Sequence, residues 1–128
     1  MSKSSCDILI AEDDDQISYL LEFLIAREGY KVKVANNGLE AKDYLSDIKP
    51  PKLILLDIIM PYFDGYQLIS YIRNDLQWKN VPIVVLTSKS QEKDIVRALE
   101  LGANDCIMKP FQPGELIARL KLQLKHAA

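Results

Sequence analysis

This chain of 128 residues predicts a single α/β domain, residues 1–128, with a doubly wound five-stranded parallel sheet. Three observations predict it. Strand-like apolar runs alternate with helical patterns five times along the chain. The runs are continuously apolar instead of alternating, as strands covered on both faces require. The connections are short, so each βα unit crosses over right-handed and returns a parallel strand. The length is that of one domain and can bury a full core without staples.

In chain order, Ile8–Ala11 is the first apolar run and predicts β1 over 8–11. Ile17, Leu20, Leu21, Leu24 and Ile25 fall at i, i+3, i+4, i+7 and i+8 and predict α1 over 15–28, with Gly29 placed to end it. Val32–Ala35 predicts β2 over 31–35, and α2 follows over 38–47. Leu53–Leu56 predicts β3 over 53–57; Leu68, Ile69 and Ile72 begin the stripe of α3 over 65–75. Val81–Leu86 predicts β4 over 81–86, and Ile95 and Leu99 mark α4 over 91–101, capped by Ser90 and closed by Gly102. The weaker run Cys106–Met108 predicts β5 over 105–108, and Pro113 suits the first turn of α5 over 113–125, whose stripe is Leu116, Leu120 and Leu124.

Composition excludes several classes. Sixteen basic against eighteen acidic residues leave a formal net charge of -2, which offers no footprint for nucleic acid or an anionic membrane. No apolar run approaches a membrane span, and Met1–Asp7 is unlike a signal peptide. Cys6 and Cys106 make no disulfide framework, so a reducing, cytoplasmic setting is expected. The lone histidine, His126, argues against a Ser-His-Asp triad, a His-based zinc site and an internal phosphohistidine. Trp78 and the six tyrosines are read as packing or surface residues with no assigned role.

In open α/β sheets, ligands bind at the carboxyl ends of the strands. There β1 is followed by Glu12, Asp13, Asp14 and Asp15, and β3 ends in Asp57. After β4 come Thr87, Ser88 and Lys89, and after β5 come Lys109 and Pro110. Clustered carboxylates repel unless something neutralises them, and a hard divalent cation does so. Mg²⁺ needs only one or two carboxylates and keeps other positions for water or phosphate oxygens; Mn²⁺ is the alternative. An Asp beside such an ion is a competent nucleophile for a phosphoryl group. The metal and Lys109 would surround the phosphoryl oxygens with positive charge, and the Thr87 hydroxyl could take one oxygen. Asp14 and Asp15 are read as acidic residues at the start of α1.

The set Ile8-Leu9-Ile10-Ala11-Glu12-Asp13-Asp14, Leu53-Ile54-Leu55-Leu56-Asp57-Ile58-Ile59-Met60-Pro61, Asp64-Gly65, Leu86-Thr87-Ser88 and Met108-Lys109-Pro110-Phe111 resembles the receiver domain of two-component (phosphorelay) response regulators. The resemblance covers essentially the whole chain and implies the flavodoxin-like, CheY-like fold. It implies that Asp57 is the phosphoacceptor, served by a sensor histidine kinase or a histidine phosphotransfer protein. It implies Mg²⁺ held by Asp13, Asp57 and the Ile59 carbonyl, with Glu12 acting through water. Lys109 would pair with Asp57 and then with the phosphoryl oxygens, Thr87 would swing in to bond the phosphoryl group, and Pro110 would follow a cis peptide. Ser88 supplies the small residue wanted after the threonine. Ile59 and Lys89 stand where residues tune phosphate loss, and neither orients a water well while Lys89 is protonated, so loss should be slow. The chain would be a signalling switch and not an enzyme beyond its own phosphorylation and dephosphorylation, moving the α4-β5-α5 face between two states.

Three positions depart from the resemblance. The residue three before the lysine is usually aromatic and transmits the threonine movement; here it is Cys106. The stretch 97–105 with 115–121 is similar to receivers of winged-helix transcription regulators, which pair through α4-β5-α5. Carried over, Val96, Leu99 and Ile117 form an apolar patch, with Glu100 facing Lys121 and Asp105 facing Arg119 of a second copy. A basic residue is expected there at Ile95 and an acidic one at Asn104. The competing readings are a receiver-like binding module independent of phosphorylation, an aspartyl-nucleophile hydrolase, and a flavodoxin-like cofactor carrier. A hydrolase of that kind needs a second Asp where Ile59 stands, and a phosphate-binding first loop would not carry the carboxylates of 12–15.

Overall fold

The computed structural model describes residues 5–89 and 91–127. Five parallel strands, β1 (Ile8–Ala11), β2 (Val32–Ala35), β3 (Leu53–Leu56), β4 (Ile83–Thr87) and β5 (Asp105–Met108), lie in the order β2-β1-β3-β4-β5. The helices are α1 (Asp15–Ala26), α2 (Gly38–Leu45), α3 (Gly65–Ser70), α4 (Glu92–Leu101) and α5 (Pro113–Ala127). The expected fold class is the one observed.

Alternate residues of β1, β3 and β4 feed opposite cores, whereas the edge strand β2 carries exposed Lys33 between half-buried Val32 and Val34. Leu9, Ala11, Ile54, Leu56, Ile83 and Val85 pack with Ala41, Leu45, Leu68, Ile69, Ile72 and Ala98 on the α2–α3–α4 side. Ile8, Ile10, Leu53, Leu55, Val84 and Leu86 pack with Leu21, Leu24, Ile25, Leu116 and Leu120 under α1 and α5. Burial on both faces is why an alternating polar pattern is missing from β1, β3 and β4.

Helix boundaries follow local hydrogen bonding. The Asp14 carboxylate caps α1, accepting from the backbone N–H of Gln16 and Ile17 at 2.9 and 3.1 Å. α1 ends at Ala26, two residues short of expectation, because Glu28 and Gly29 donate to Ile25 and Ala26 in a tightened last turn. Gly29 and Gly102 both adopt positive φ, +96° and +124°, as residues that stop helices. The expected Ser90 cap lies outside the described residues; Gln91, at the start of α4, makes no side-chain capping bond. α5 runs two residues past the expected 125.

Two elements differ from expectation in kind. β4 starts at Ile83, and Thr87 belongs to the strand, paired with Met108. Pro82 has no N–H to give a ladder, which excludes the first two residues of the run. The single helix expected over 65–75 becomes α3 followed by a π-helical segment, Tyr71–Asp75. Its wider turn shows in the bond from Leu76 N–H to the Tyr71 carbonyl, 3.0 Å. Arg73 from this segment donates to the carbonyls of Gly102, Trp78 and Val81 and to Asn104 Oδ1.

Candidate functional site

The parallel register sets the site. Ala11 pairs with Leu56, so Glu12 and Asp57, the next residue on each strand, emerge side by side. Their backbones are fixed by Glu12 N–H to Ala35 O at 3.1 Å and Asp57 N–H to Ala11 O at 3.0 Å. On the neighbouring pair Thr87 lies beside Met108, and Lys109 N–H donates to Thr87 O at 2.9 Å. Gly65 closes the β3–α3 loop over the site: its N–H donates to Ile58 O, and a Cβ there would lie 2.4 Å from the Asp57 carbonyl. The peptide between Lys109 and Pro110 is cis, as the resemblance implied.

The side chains converge. Lys109 Nζ lies 2.7 Å from Asp57 Oδ2 and 2.6 Å from Glu12 Oε1. The first contact is a well-formed hydrogen bond. The second is an ion contact without hydrogen-bond geometry, and it leaves Glu12 Oε1 buried with no hydrogen bond. Glu12 Oε2 accepts from Asp14 N–H at 3.2 Å, and Asp57 Oδ1 accepts from Ile59 N–H at 3.2 Å. Glu12, Asp57 and Thr87 are buried, whereas Asp13 is exposed.

Charge is out of balance here. Burial, with Asp57 nearby, pushes Glu12 up to about 7 despite the ammonium of Lys109. Burial alone would lower Lys109, but its hydrogen bond to Asp57 and its ion contact with Glu12 outweigh this and raise it. Burial is the largest cause at Glu12, with the Asp57 charge adding to it, whereas at Lys109 the two carboxylates outweigh burial.

That imbalance suits a metal. One oxygen each from Glu12, Asp13 and Asp57 lies within 4.8 Å of the other two. The set is all oxygen and one member faces water, which suits an ion that takes oxygen ligands and keeps waters, and Glu12 Oε1 is buried with no hydrogen bond beyond its ion contact with Lys109. The residues present therefore fit Mg²⁺.

The other expected residues take different places. Thr87 Oγ1 accepts from Lys89 N–H at 3.1 Å, so its hydroxyl holds the β4–α4 loop. Ser88 and Ile59 are exposed. Lys89 Nζ sits 3.8 Å from Asp94 Oδ1 and 5.8 Å from the centre of the Tyr66 ring. Cys106 is half-buried beside the α2–α3–α4 core. On the expected pairing face, Val96 and Leu99 are exposed, and Ile117 is half-buried against the core under α5. Both basic partners are engaged within the chain: Arg119 reaches Asp105 at 3.1 Å, and Lys121 reaches Glu28 at 2.6 Å. Asn104, where an acid was expected, accepts from Ile83 N–H at 2.8 Å and from Arg73.

Sequence reading missed Tyr66, which it left among the packing tyrosines. Its ring is buried, its hydroxyl donates to Asp94 O at 3.2 Å, and the Arg97 guanidinium lies 3.9 Å from the ring centre. Its only local mark is its position directly after Asp64-Gly65.

The pattern of the response regulator receiver domain family matches residues 8–121. The chain is 43% identical over 121 residues to a transcriptional regulatory protein, a CpxR homolog, of Haemophilus influenzae, covering 94% of this chain and 51% of that protein. It is 39% identical over 127 residues to the transcriptional regulatory protein GltR of Pseudomonas aeruginosa, covering 99% and 52%. It thus spans about half the length of these relatives. Among solved structures, a CheY-like receiver domain protein of Methanospirillum hungatei matches with TM-score 0.88 at 27% identity over 97% of each chain. A response regulator described as putative, from Chloroflexus aurantiacus, matches with TM-score 0.86 at 34% identity, covering 95% of this chain and 99% of that one. Strand order, the residues at the strand ends and these likenesses agree, and the chain belongs to the response regulator receiver domain family of two-component systems.

Proposed function

We propose that this receiver is switched by phosphorylation of Asp57, and that residues 1–128 act as one such unit. The carrying observation is the 2.7 Å contact of Asp57 with Lys109 inside a cluster of three carboxylates. An Asp57 oxygen attacks the phosphorus of a phosphohistidine on a kinase or phosphotransfer protein. The P–O bond forms as the P–N bond breaks, the imidazole nitrogen keeps the electron pair, and an acyl phosphate remains on Asp57. Asp13, Asp57, the Ile59 carbonyl and, through water, Glu12 would hold Mg²⁺, or Mn²⁺ in its place. When bound, the ion supplies positive charge to the phosphoryl oxygens and offsets the carboxylates.

Lys109 stays within reach of the new phosphoryl oxygens. Thr87 turns its hydroxyl to one of them and gives up Lys89 N–H, which reshapes the β4–α4 loop and the α4-β5-α5 face. A shift from mostly off to mostly on needs about 5 kcal/mol of differential interaction, within reach of charge-assisted bonds to a new dianion. The relatives are named as transcriptional regulators, and a transcriptional output is proposed for this receiver too. Pairing of two copies through Val96, Leu99 and Ile117 would require Arg119 and Lys121 to leave Asp105 and Glu28 for the second copy.

Incubation with Mg²⁺ and acetyl phosphate, followed by intact mass, tests the proposal. A gain of one phosphate that Asp57→Asn abolishes is expected. An unmodified wild-type chain overturns it.

A further inference from the structure

Resting on that reading, we infer that Tyr66 is the positioning residue through which the acidic site controls α4, in place of the aromatic ring that the Cys106 position lacks. Tyr66 is rooted at the site. It follows Gly65, whose α carbon packs on the Asp57 carbonyl too closely for any side chain, so the first turn of α3 moves with the Asp57 loop. From there the ring crosses to α4. Its hydroxyl bonds Asp94 O in the first turn of that helix, and Arg97, one turn later, lies against the ring face at 3.9 Å.

The same ring meets the loop that Thr87 controls. Lys89 Nζ lies over it at 5.8 Å and beside Asp94 at 3.8 Å, while Lys89 N–H is the donor that occupies Thr87 Oγ1. Two cations and a carbonyl on one buried ring form a clamp across three elements. Here β5 offers only Cys106, which packs with Tyr66 against the same core.

When Thr87 turns toward a phosphoryl group, Lys89 N–H loses its acceptor, and the Lys89 side chain leaves the ring and Asp94 with it. The clamp then rests on Arg97 and one hydroxyl bond, and the first turn of α4 is free to shift. Room for the ring exists: a crevice of about 370 Å³ opens beside it, lined by Ile59, Met60, Asp64, Lys89 and Arg97.

Hydrogen exchange of the α4 backbone, with and without Mg²⁺ and beryllofluoride as phosphoryl mimic, tests this on the full chain. Wild type should exchange α4 amides several-fold faster with the mimic. Tyr66→Phe, which keeps the ring and loses the Asp94 bond, should exchange faster before the mimic is added, narrowing the difference. Tyr66→Leu should still accept phosphate at Asp57 by intact mass, yet show the same α4 exchange in both conditions. A full wild-type α4 response in both variants overturns the role of Tyr66. A wild-type chain that takes no phosphate instead overturns the function on which the role rests, and the mass measurement separates the two failures. If Tyr66→Leu unfolds, an unaltered resting exchange and an unaltered response in Tyr66→Phe still overturn the inference.

Discussion

Two partly buried cations sit at opposite edges of the same sheet and are compensated in opposite ways. Lys109, at the carboxyl edge, faces Asp57 and Glu12, and its pKa is raised because their negative charge outweighs its burial. Arg73, at the amino edge, faces three carbonyls and the Asn104 amide, and burial alone pulls its pKa down. Neutral acceptors around a guanidinium make a fixed rack with nothing to titrate. Ionised partners around an ammonium make a site whose balance changes when a metal or a phosphoryl group arrives. The difference separates a structural cation from one poised for chemistry, and charge type at the acceptors is the criterion.

The comparison breaks first at Arg73. Arg73→Ala leaves the Gly102, Trp78 and Val81 carbonyls and the Asn104 amide without this donor, and should cost about 3–5 kcal/mol in urea unfolding. The loss should be the same with and without Mg²⁺, and acetyl phosphate should still modify the folded fraction. A cost that depends on Mg²⁺ would erase the distinction between the two edges.

Glu12→Gln sharpens the other side. Burial raises Glu12 to about 7, so the folded chain holds a proton that the unfolded chain has released. Stability from this group is therefore full at low pH and falls as pH rises from the ordinary glutamate range through about 7. Without metal, Glu12→Gln should stabilise the protein by about 1–3 kcal/mol at pH 8 and by almost nothing near pH 4. Mg²⁺ should narrow the gap at pH 8. Equal effects at both pH values would show that the glutamate is not under charge stress.

The smallest effect concerns phosphate lifetime. Lys89 is drawn toward Asp94 and the Tyr66 ring, and Ile59 is exposed without a polar group to place a water. Lys89→Glu combined with Ile59→Asn should shorten the lifetime of the phosphorylated form a few-fold, equivalent to about 1 kcal/mol in barrier. Loss of radiolabel over time measures it, and an unchanged or longer lifetime counts against the tuning roles.

What was legible in the sequence follows from locality. Glu12, Asp57, Thr87 and Lys109 each lie at or just beyond an apolar strand run, so identifying five strands placed them at one edge. Asp14 was readable as part of the start of α1 because a helix N-terminus is a local event. Arg73 was not readable, since its partners come from two later connections that only the fold brings together. The π-helical segment was equally hidden, because Leu68, Ile69, Ile72 and Leu76 suit a continued α-helix in spacing. Tyr66 escaped because a buried ring with one hydroxyl bond has the same sequence appearance as any core tyrosine. The ion pairs of Arg119 and Lys121 went to Asp105 and Glu28 of the same chain, a choice that residue types alone leave open.

Chain order also sets when the charges of the site appear. β1 meets β3 through Ile8 and Leu53, whereas Lys109 follows β5, which joins the sheet through Thr87 and Met108. Synthesis runs from the amino terminus, so Glu12, Asp13 and Asp57 all exist before Lys109 has been added to the chain. Until Lys109 has been added, Glu12 and Asp57 lack the ammonium that contacts both of them in the folded site.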